Sequence, residues 1–139
     1  MKFYETKLSL ERNGIYQLTD WVEECVKDSG VKNGVAFLNG PHTTSGVSVA
    51  PDMLNYEDLL DIQDGFAKIV PARVTYLHQF DNTTDMAGHS KAAIMNTHLA
   101  LIIEDGKVVK GGTQGIYFFE FDGPRVQKCW LAEIGRAHV

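Results

Sequence analysis

The sequence predicts an α+β fold with mainly antiparallel sheets. Several strand-like runs are separated by short turn signals, among them Asn13-Gly14, Asn39-Gly40-Pro41 and Asp105-Gly106. Three longer stretches carry apolar residues at helical spacing or an alanine-rich composition, and these are the expected helices. Because hairpins outnumber crossover connections, neighbouring strands are expected to pair antiparallel.

The strands are marked by composition and by alternation. Residues 2–10 are rich in aromatic and β-branched side chains, and 15–18, just after a turn, are their expected hairpin partner. Residues 35–38 form a short apolar run bounded by glycines, which is typical of a buried strand. Further strands are predicted at 45–49, 99–103, 108–110, 116–121 and 126–134.

The helices are predicted at 19–30, 56–70 and 85–95. Thr19 or Asp20 can cap the first helix, and Gly30 can end it. Pro71 stops the second helix, because proline cannot continue a helical hydrogen-bond ladder. The predicted order is β-β-α-β-β-α-α-β-β-β-β.

Composition limits the classes of function. The 139 residues fit one domain, predicted to span 1–139. The formal net charge of −5 argues against a general surface for nucleic acid or for an anionic membrane. Cys25 and Cys129 are far apart, so a reduced, cytoplasmic setting is expected rather than a disulfide framework. No apolar run approaches the roughly 20 residues that span a bilayer.

The stretch HTTSGVSV, from His42 to Val49, is the main candidate for chemistry. It places an imidazole and two hydroxyls, those of Thr43 and Thr44, at the mouth of a strand. Such groups can bind an anion, hold a metal or transfer protons. The alternative is that the hydroxyls only satisfy a turn, since Ser and Thr are ordinary turn residues.

Two further histidines occur at loops or element ends, His78 and His89. Asp85 and His89 are four residues apart, so on a helix they share one face. That spacing suits a carboxylate that orients an imidazole, or two ligands of one metal ion. If His42, His78 and His89 converge, three imidazoles with one open position suit Zn²⁺ or a similar divalent ion. The alternative is that the three histidines are unrelated surface residues.

The glycine-rich run 111–115 offers backbone donors that can approach a ligand closely, although such a run is more often a bend between strands. Six segments resemble the YjbQ-like family in order and spacing. They are HTTSGVSV, the Asp61 helix ending in Val70-Pro71, Tyr76-Leu77-His78, the DMAGHSKA segment from Asp85 to Ala92, Gln114-Gly115-Ile116 and Asp122-Gly123-Pro124-Arg125.

The resemblance covers essentially the whole chain, and it implies a fold and an activity. The implied fold is a two-sheet, mainly antiparallel β-sandwich with flanking helices that assembles as a homotrimer. The family is described as secondary thiamine-phosphate synthases, which join a pyrimidine diphosphate to a thiazole phosphate and release pyrophosphate. The implied partner is therefore a small phosphorylated molecule or anion.

The implied site residues fall into three groups. The catalytic candidates are His42, His89 and Asp61. The metal candidates, for zinc or magnesium, are His42, His78, His89 and Asp85. The candidates for binding the substrate or an anion are Thr43, Thr44, Lys91, Gly112, Gln114 and Arg125.

The sequence departs from the family pattern at two motifs. Family members usually carry Asn-Glu after the HTT strand, where this chain has Ala50-Pro51, followed by Asp52. The Trp of the usual Gly-Thr-Trp-Gln motif is also absent before Gln114. These departures leave a second reading open, in which the protein is a non-catalytic trimer that binds a metal ion or a small anion.

One sequence feature supports a trimer independently of the family resemblance. Adjacent strand residues point to opposite faces, and the run Ile116-Tyr117-Phe118-Phe119 is apolar on both. One face is expected to pack in the core and the other to need cover, either from a neighbouring subunit or from a helix of the same chain.

Overall fold

The computed structural model describes residues 2–10, 14–52, 56–71, 85–123 and 125–137, with Tyr56, Glu57 and Asp85 described for their backbone only. Within these ranges lie eight strands and three helices in the predicted order. They are β1 (Phe3–Leu10), β2 (Ile15–Gln17), α1 (Thr19–Ser29), β3 (Asn33–Asn39), β4 (Ser45–Pro51), α2 (Tyr56–Ile69), α3 (Asp85–Met95), β5 (His98–Glu104), β6 (Lys107–Val109), β7 (Gln114–Glu120) and β8 (Arg125–Arg136).

The strands form two sheets. The larger has the order β1-β8-β3-β5-β6 and the smaller the order β2-β7-β4. Every strand pair in the described ranges is antiparallel. The α+β class with antiparallel sheets is therefore confirmed. The stretch 72–84, which includes His78, lies outside the described residues.

The predicted hairpin between 2–10 and 15–18 is wrong. β1 pairs along its whole length with β8, from Phe3 opposite Ala132 to Leu10 opposite Arg125. β2 belongs to the other sheet, where it pairs with β7. An eight-residue strand gains a full ladder of hydrogen bonds beside the long β8, whereas the three-residue β2 could satisfy less than half of it.

The main core lies between the two sheets. Inward-facing side chains of both sheets meet there, and α1 closes one end with Val22, Cys25 and Val26. Cys25 and Cys129 are both buried free thiols. Gly30 ends α1 in the left-handed conformation, as predicted.

Thr19 does not cap α1. The N-cap position is Leu18, and no side chain caps the helix. The Thr19 hydroxyl instead accepts the backbone N–H of Ile116 at 2.9 Å, which ties the start of α1 to β7. The predicted capping role of Thr19 or Asp20 is therefore wrong, because the hydroxyl satisfies a backbone donor of the sheet.

A second cluster covers the other face of the small sheet. Tyr117 and Phe119 of β7 pack there with Phe121, against Phe66 of α2 and Met95 of α3. Both faces of β7 are thus buried by the chain itself. A helix of the same chain, rather than a neighbouring subunit, gives the cover that the apolar run requires.

The hairpin at Asp105-Gly106 is confirmed. Both residues have positive φ, 52° and 76°, as the turns that suit a two-residue hairpin require. No helix in the described part of the chain is long and apolar enough to cross a membrane.

Candidate functional site

A polar pocket of about 340 Å³ lies where the loop before β4 meets α3 and the start of β8. It combines two imidazoles, a guanidinium, two hydroxyls and an amide. Its lining residues are Pro41, His42, Thr43, Thr44, His89, Arg125 and Gln127. The structure therefore brings together five of the predicted site residues from three separate parts of the chain.

His42 is held by the backbone of β8. The Lys128 N–H donates to its Nε2 at 2.9 Å, while the Lys128 carbonyl oxygen lies farther away, at 3.2 Å. A backbone N–H can only donate, so Nε2 acts as the acceptor and the proton of the neutral ring lies on Nδ1. His42 therefore offers Nδ1–H as its remaining hydrogen-bond donor.

His89 has its proton on the same ring nitrogen. Its Nδ1 lies 3.0 Å from the Thr43 carbonyl oxygen, which can only accept, so Nδ1–H donates. Gly88, the residue before His89, allows α3 to pack closely against Asp122, because a Cβ at this position would lie 3.1 Å from Asp122 Cβ.

Under the pocket lies the buried carboxylate of Glu120. Its Oε1 accepts the Thr44 hydroxyl at 3.0 Å and the Asp122 N–H at 2.9 Å, and its Oε2 accepts Gln127 Nε2 at 2.7 Å. Glu120 is 1% exposed, so its charge is compensated by these three donors rather than by water. The network fixes two lining residues, Thr44 and Gln127, from below.

The guanidinium of Arg125 is held by hydrogen bonds to a buried residue, Asp122. Its Nε donates to the Asp122 carbonyl oxygen at 2.7 Å, and one terminal nitrogen donates to Asp122 Oδ2 at 3.0 Å. Asp122 is buried, whereas the Arg125 side chain is 42% exposed. The guanidinium thus has an anchored inner edge and an outer edge with N–H groups toward the solvent.

Sequence reasoning missed Glu120 and Gln127. The alternation of inward-facing and outward-facing residues along β7 and β8 indicated that both side chains are buried. Glu120 has the same parity as the core residues Ile116 and Phe118, and Gln127 the same parity as Cys129. A carboxylate or amide at a core position requires buried partners, and buried partners often mark a site.

Several predicted residues lie elsewhere in the chain. Asp61 is exposed on α2 and does not line this pocket. Gly112 and Gln114 lie at the opposite end of the small sheet, where Gln114 pairs with Pro51. Asp52 is also there, and its N–H donates to the Thr113 carbonyl oxygen. β4 is seven residues long, so the two ends of the small sheet lie about 20 Å apart.

Two members of the predicted metal set fall outside the described structure. They are His78 and the side chain of Asp85. Among the residues that the structure does describe, no cluster of three or more His, Cys, Asp or Glu side chains could hold a metal ion. His42 and His89 both line the pocket, so a metal there would require its further ligands from outside the described ranges.

Among the described residues, two antiparallel sheets with three helices and a polar pocket at one end of the smaller sheet define the class, an α+β protein. The model of the UPF0047 protein YjbQ-like family matches residues 5–136, and the chain belongs to this family. The family resemblance drawn from the sequence motifs is confirmed.

Individual relatives agree with this membership. The UPF0047 protein YugU of Bacillus subtilis is 30% identical over 131 residues, which cover 90% of this chain and 92% of YugU. A crystal structure of a yjbq/upf0047 family protein from Clostridium acetobutylicum is 34% identical, with a TM-score of 0.86 over 94% of this chain and 99% of that one. A protein of unknown function from Sulfolobus solfataricus P2, 23% identical, shares the fold with a TM-score of 0.90 over 97% of each chain.

Proposed function

We propose that the pocket binds a phosphorylated small molecule, and that the protein is a transferase of the thiamine-phosphate synthase type. The observation that carries the proposal is the convergence of His42, His89 and Arg125 on one pocket of about 340 Å³. A pocket of this size suits one small ligand, and its cationic and N–H donors suit phosphate oxygens.

The proposed reaction displaces pyrophosphate from carbon. The thiazole nitrogen forms a bond to the methylene carbon of the pyrimidine diphosphate, and pyrophosphate leaves with the electron pair of the broken C–O bond. Charge therefore develops on the departing oxygens, and fixed donors aimed at them lower the barrier. The outer N–H groups of Arg125 and the Nδ1–H of His42 fill this role.

His42 and His89 divide the proton chemistry between them. His42 can donate through Nδ1 without breaking its hydrogen bond with Lys128. His89 is anchored through Nδ1–H to the Thr43 carbonyl oxygen. In the proposed reaction a protonated His89 supplies a positive charge and a proton to the leaving pyrophosphate.

The second candidate function is a non-catalytic protein that binds a metal ion or a small anion. It is favoured by Ala50-Pro51 at the usual Asn-Glu positions and by the distance of Asp52 from the pocket. Under this alternative, the anion binds and no product forms.

The test uses titration calorimetry with inorganic pyrophosphate and a product assay with both substrates. His89→Ala is expected to weaken pyrophosphate binding by roughly 10- to 100-fold, which is the value of one charge-assisted hydrogen bond. The matched control is His98→Ala, because His98 is exposed on β5 and does not line the pocket. Circular dichroism confirms that both variants fold.

The outcomes separate the two functions. Binding together with product formation supports the transferase, and binding without product supports the anion-binding alternative. Equal affinities for His89→Ala and His98→Ala would reject the pocket itself. Repeating the titration after metal removal with a chelator tests the zinc or magnesium prediction, since a metal-bridged anion would lose affinity.

We also propose that the protein assembles as a homotrimer. The proposal is supported by the outer face of the larger sheet, where exposed apolar side chains follow one another across the strands. Phe37 lies opposite Ala100 and Ala132, and Ile102 lies opposite Val109. Exposed members of this face are Phe3, Phe37, Ile102, Val109 and Ile134. A continuous apolar face of this kind is typical of subunit interfaces.

A further inference from the structure

A groove of about 700 Å³ lies between the second half of α1 and the hairpin of β5 and β6. It shares no lining residue with the polar pocket around His42, whose volume is about 340 Å³. Lys91, which was predicted to bind an anion, lines neither of them. The groove is therefore a separate surface, and its chemistry follows from its own residues.

The floor of the groove is apolar. Val26, on the inner side of α1, is 1% exposed, while Val31 and Val108 are half-buried and pack against the main core. An apolar floor favours the ring or alkyl part of a ligand, because contact between the two removes both from water.

Ammonium groups outnumber carboxylates around this floor. The lysines are Lys27, Lys32, Lys107 and Lys110, and the acids are Glu23 and Asp105. The whole chain has a formal net charge of −5, so the groove has the opposite sign to the molecule. Among the described residues, the cations of the ion pairs are Lys2, Arg125 and Lys128, and none of them lines the groove. The charges of the four groove lysines are thus available to an anionic ligand.

Lys32 is held in place by its backbone. Its N–H donates to the Arg136 carbonyl oxygen at 2.7 Å, and its own carbonyl oxygen accepts the Gly106 N–H at 3.0 Å. Its side chain lies beside the Gly106 turn, where a Cβ on Gly106 would be 3.4 Å from both Cδ and Nζ of Lys32. The absence of a side chain at Gly106 therefore leaves room for this amine at the edge of the groove.

The groove ends at the turn formed by Gly111 and Gly112. The Gly111 N–H donates to Gln114 Oε1 at 2.7 Å, which fixes the turn. A Cβ on Gly112 would meet nothing within 4 Å, so the main chain is open on this side. A phosphate group can therefore approach the backbone closely, as it does at other glycine-rich turns.

We propose that this groove binds a nucleotide-like ligand, an organic polyphosphate that carries an apolar ring. The lysines hold the phosphate groups, and the valine floor packs against the ring. A groove of about 700 Å³ suits a molecule of this size, whereas an inorganic phosphate would leave the floor uncovered. Binding is non-covalent, and it does not depend on the function proposed for the polar pocket.

The experiment is titration calorimetry of the full-length protein with ATP, in a buffer that contains a chelator and no Mg²⁺. Lys32→Ala is expected to weaken ATP binding by about tenfold or more, because one charge-assisted contact is lost. Lys68→Ala is the matched control, since Lys68 is exposed on α2 and does not line the groove. Adenosine and inorganic triphosphate, which each carry one part of the ligand, are expected to bind the wild type at least about tenfold more weakly than ATP. Circular dichroism confirms that both variants fold.

Several results would overturn the proposal. One is the absence of measurable ATP binding to the wild type at millimolar concentration. Another is equal ATP affinity for Lys32→Ala and Lys68→Ala, which would remove the ligand from the groove. Inorganic triphosphate that binds as tightly as ATP would reject the apolar part of the ligand. A loss of ATP affinity in His89→Ala but not in Lys32→Ala would place the ligand in the polar pocket instead.

Discussion

Two buried glutamates of the core differ in their hydrogen bonding. Glu120 and Glu133 both occupy core positions of their strands, and each is 1% exposed. Glu120 receives three hydrogen bonds and supports the polar pocket. Neither carboxylate oxygen of Glu133 has a hydrogen-bond partner in another described residue. A buried polar group without a partner lowers stability, so Glu133 is a destabilising residue of the core.

The pH dependence of stability follows from this burial. Burial, reinforced by the charge of Asp28, raises the pKa of the Glu133 carboxyl. The folded protein therefore holds this proton to a higher pH than the unfolded chain does. As pH rises above the unfolded pKa and through the raised folded pKa, the contribution of Glu133 to stability falls.

Glu133→Gln is expected to remove this loss, because the amide does not ionise. Urea unfolding should give the variant an advantage over the wild type that grows between pH 5 and pH 8. Glu104→Gln is the control, since it removes one carboxyl group in the same way at a position that is exposed on β5. An advantage of equal size at both pH values would contradict the prediction.

The candidate site could be predicted in part from single residues. His42, Thr43, Thr44 and His89 were predicted from polar side chains at strand and loop ends, and Arg125 was predicted from the family resemblance. The residues that hold them were not found, because their role depends on partners distant in sequence. Thr44 and Glu120, for example, are 76 residues apart. Such pairings follow from sheet register, which no local pattern determines.

Helices were the elements that the sequence predicted best. The start and end of α3 agree with the prediction, and α1 ends at Gly30 as expected. The order of elements is also correct. The error concerns pairing, since a turn signal at Asn13-Gly14 suggested a hairpin while β1 and β2 joined different sheets. Turn residues favour a change of direction, but ladder length and burial determine the partner strand.

Two glycines of helices should respond to alanine in opposite ways. Gly30 has φ of +73°, so Gly30→Ala is expected to cost about 1 kcal/mol of stability. Gly65 lies inside α2 with nothing within 4 Å of an added Cβ, and Gly65→Ala is expected to stabilise by about 0.5–1 kcal/mol. Thermal and urea unfolding measure both. If Gly30→Ala proved as stable as the wild type, the left-handed end of α1 would be wrong.

At the scale of the whole molecule, the small sheet separates the polar motifs into two groups. His42, His89 and Arg125 lie at one end, whereas Gly112 and Gln114 lie at the other. The sequence placed both groups in one set, because order along the chain carries no information about which end of a strand each motif occupies. Within one chain the motifs of the two ends cannot contact one ligand of the size that the 340 Å³ pocket holds.

The proposed trimer is tested most directly on the outer face of the larger sheet. The apolar residues of β7, which suggested a trimer from the sequence, are covered by α2 and α3. A trimer interface must therefore use another surface. Phe37 lies near the centre of this face on β3, between β8 and β5, and is 42% exposed. Phe37→Glu would place a charge in the proposed interface, where it would lose its hydration, and is expected to give a monomer.

The matched control is Ile69→Glu, because Ile69 is 71% exposed at the end of α2 and lies outside the larger sheet. Sedimentation equilibrium at micromolar concentration is expected to show a trimer for the wild type and for Ile69→Glu, and a monomer for Phe37→Glu. A wild-type monomer would reject the trimer. A trimer that persists in Phe37→Glu would instead move the interface away from this face, because a buried unpaired carboxylate there costs several kcal/mol in each subunit.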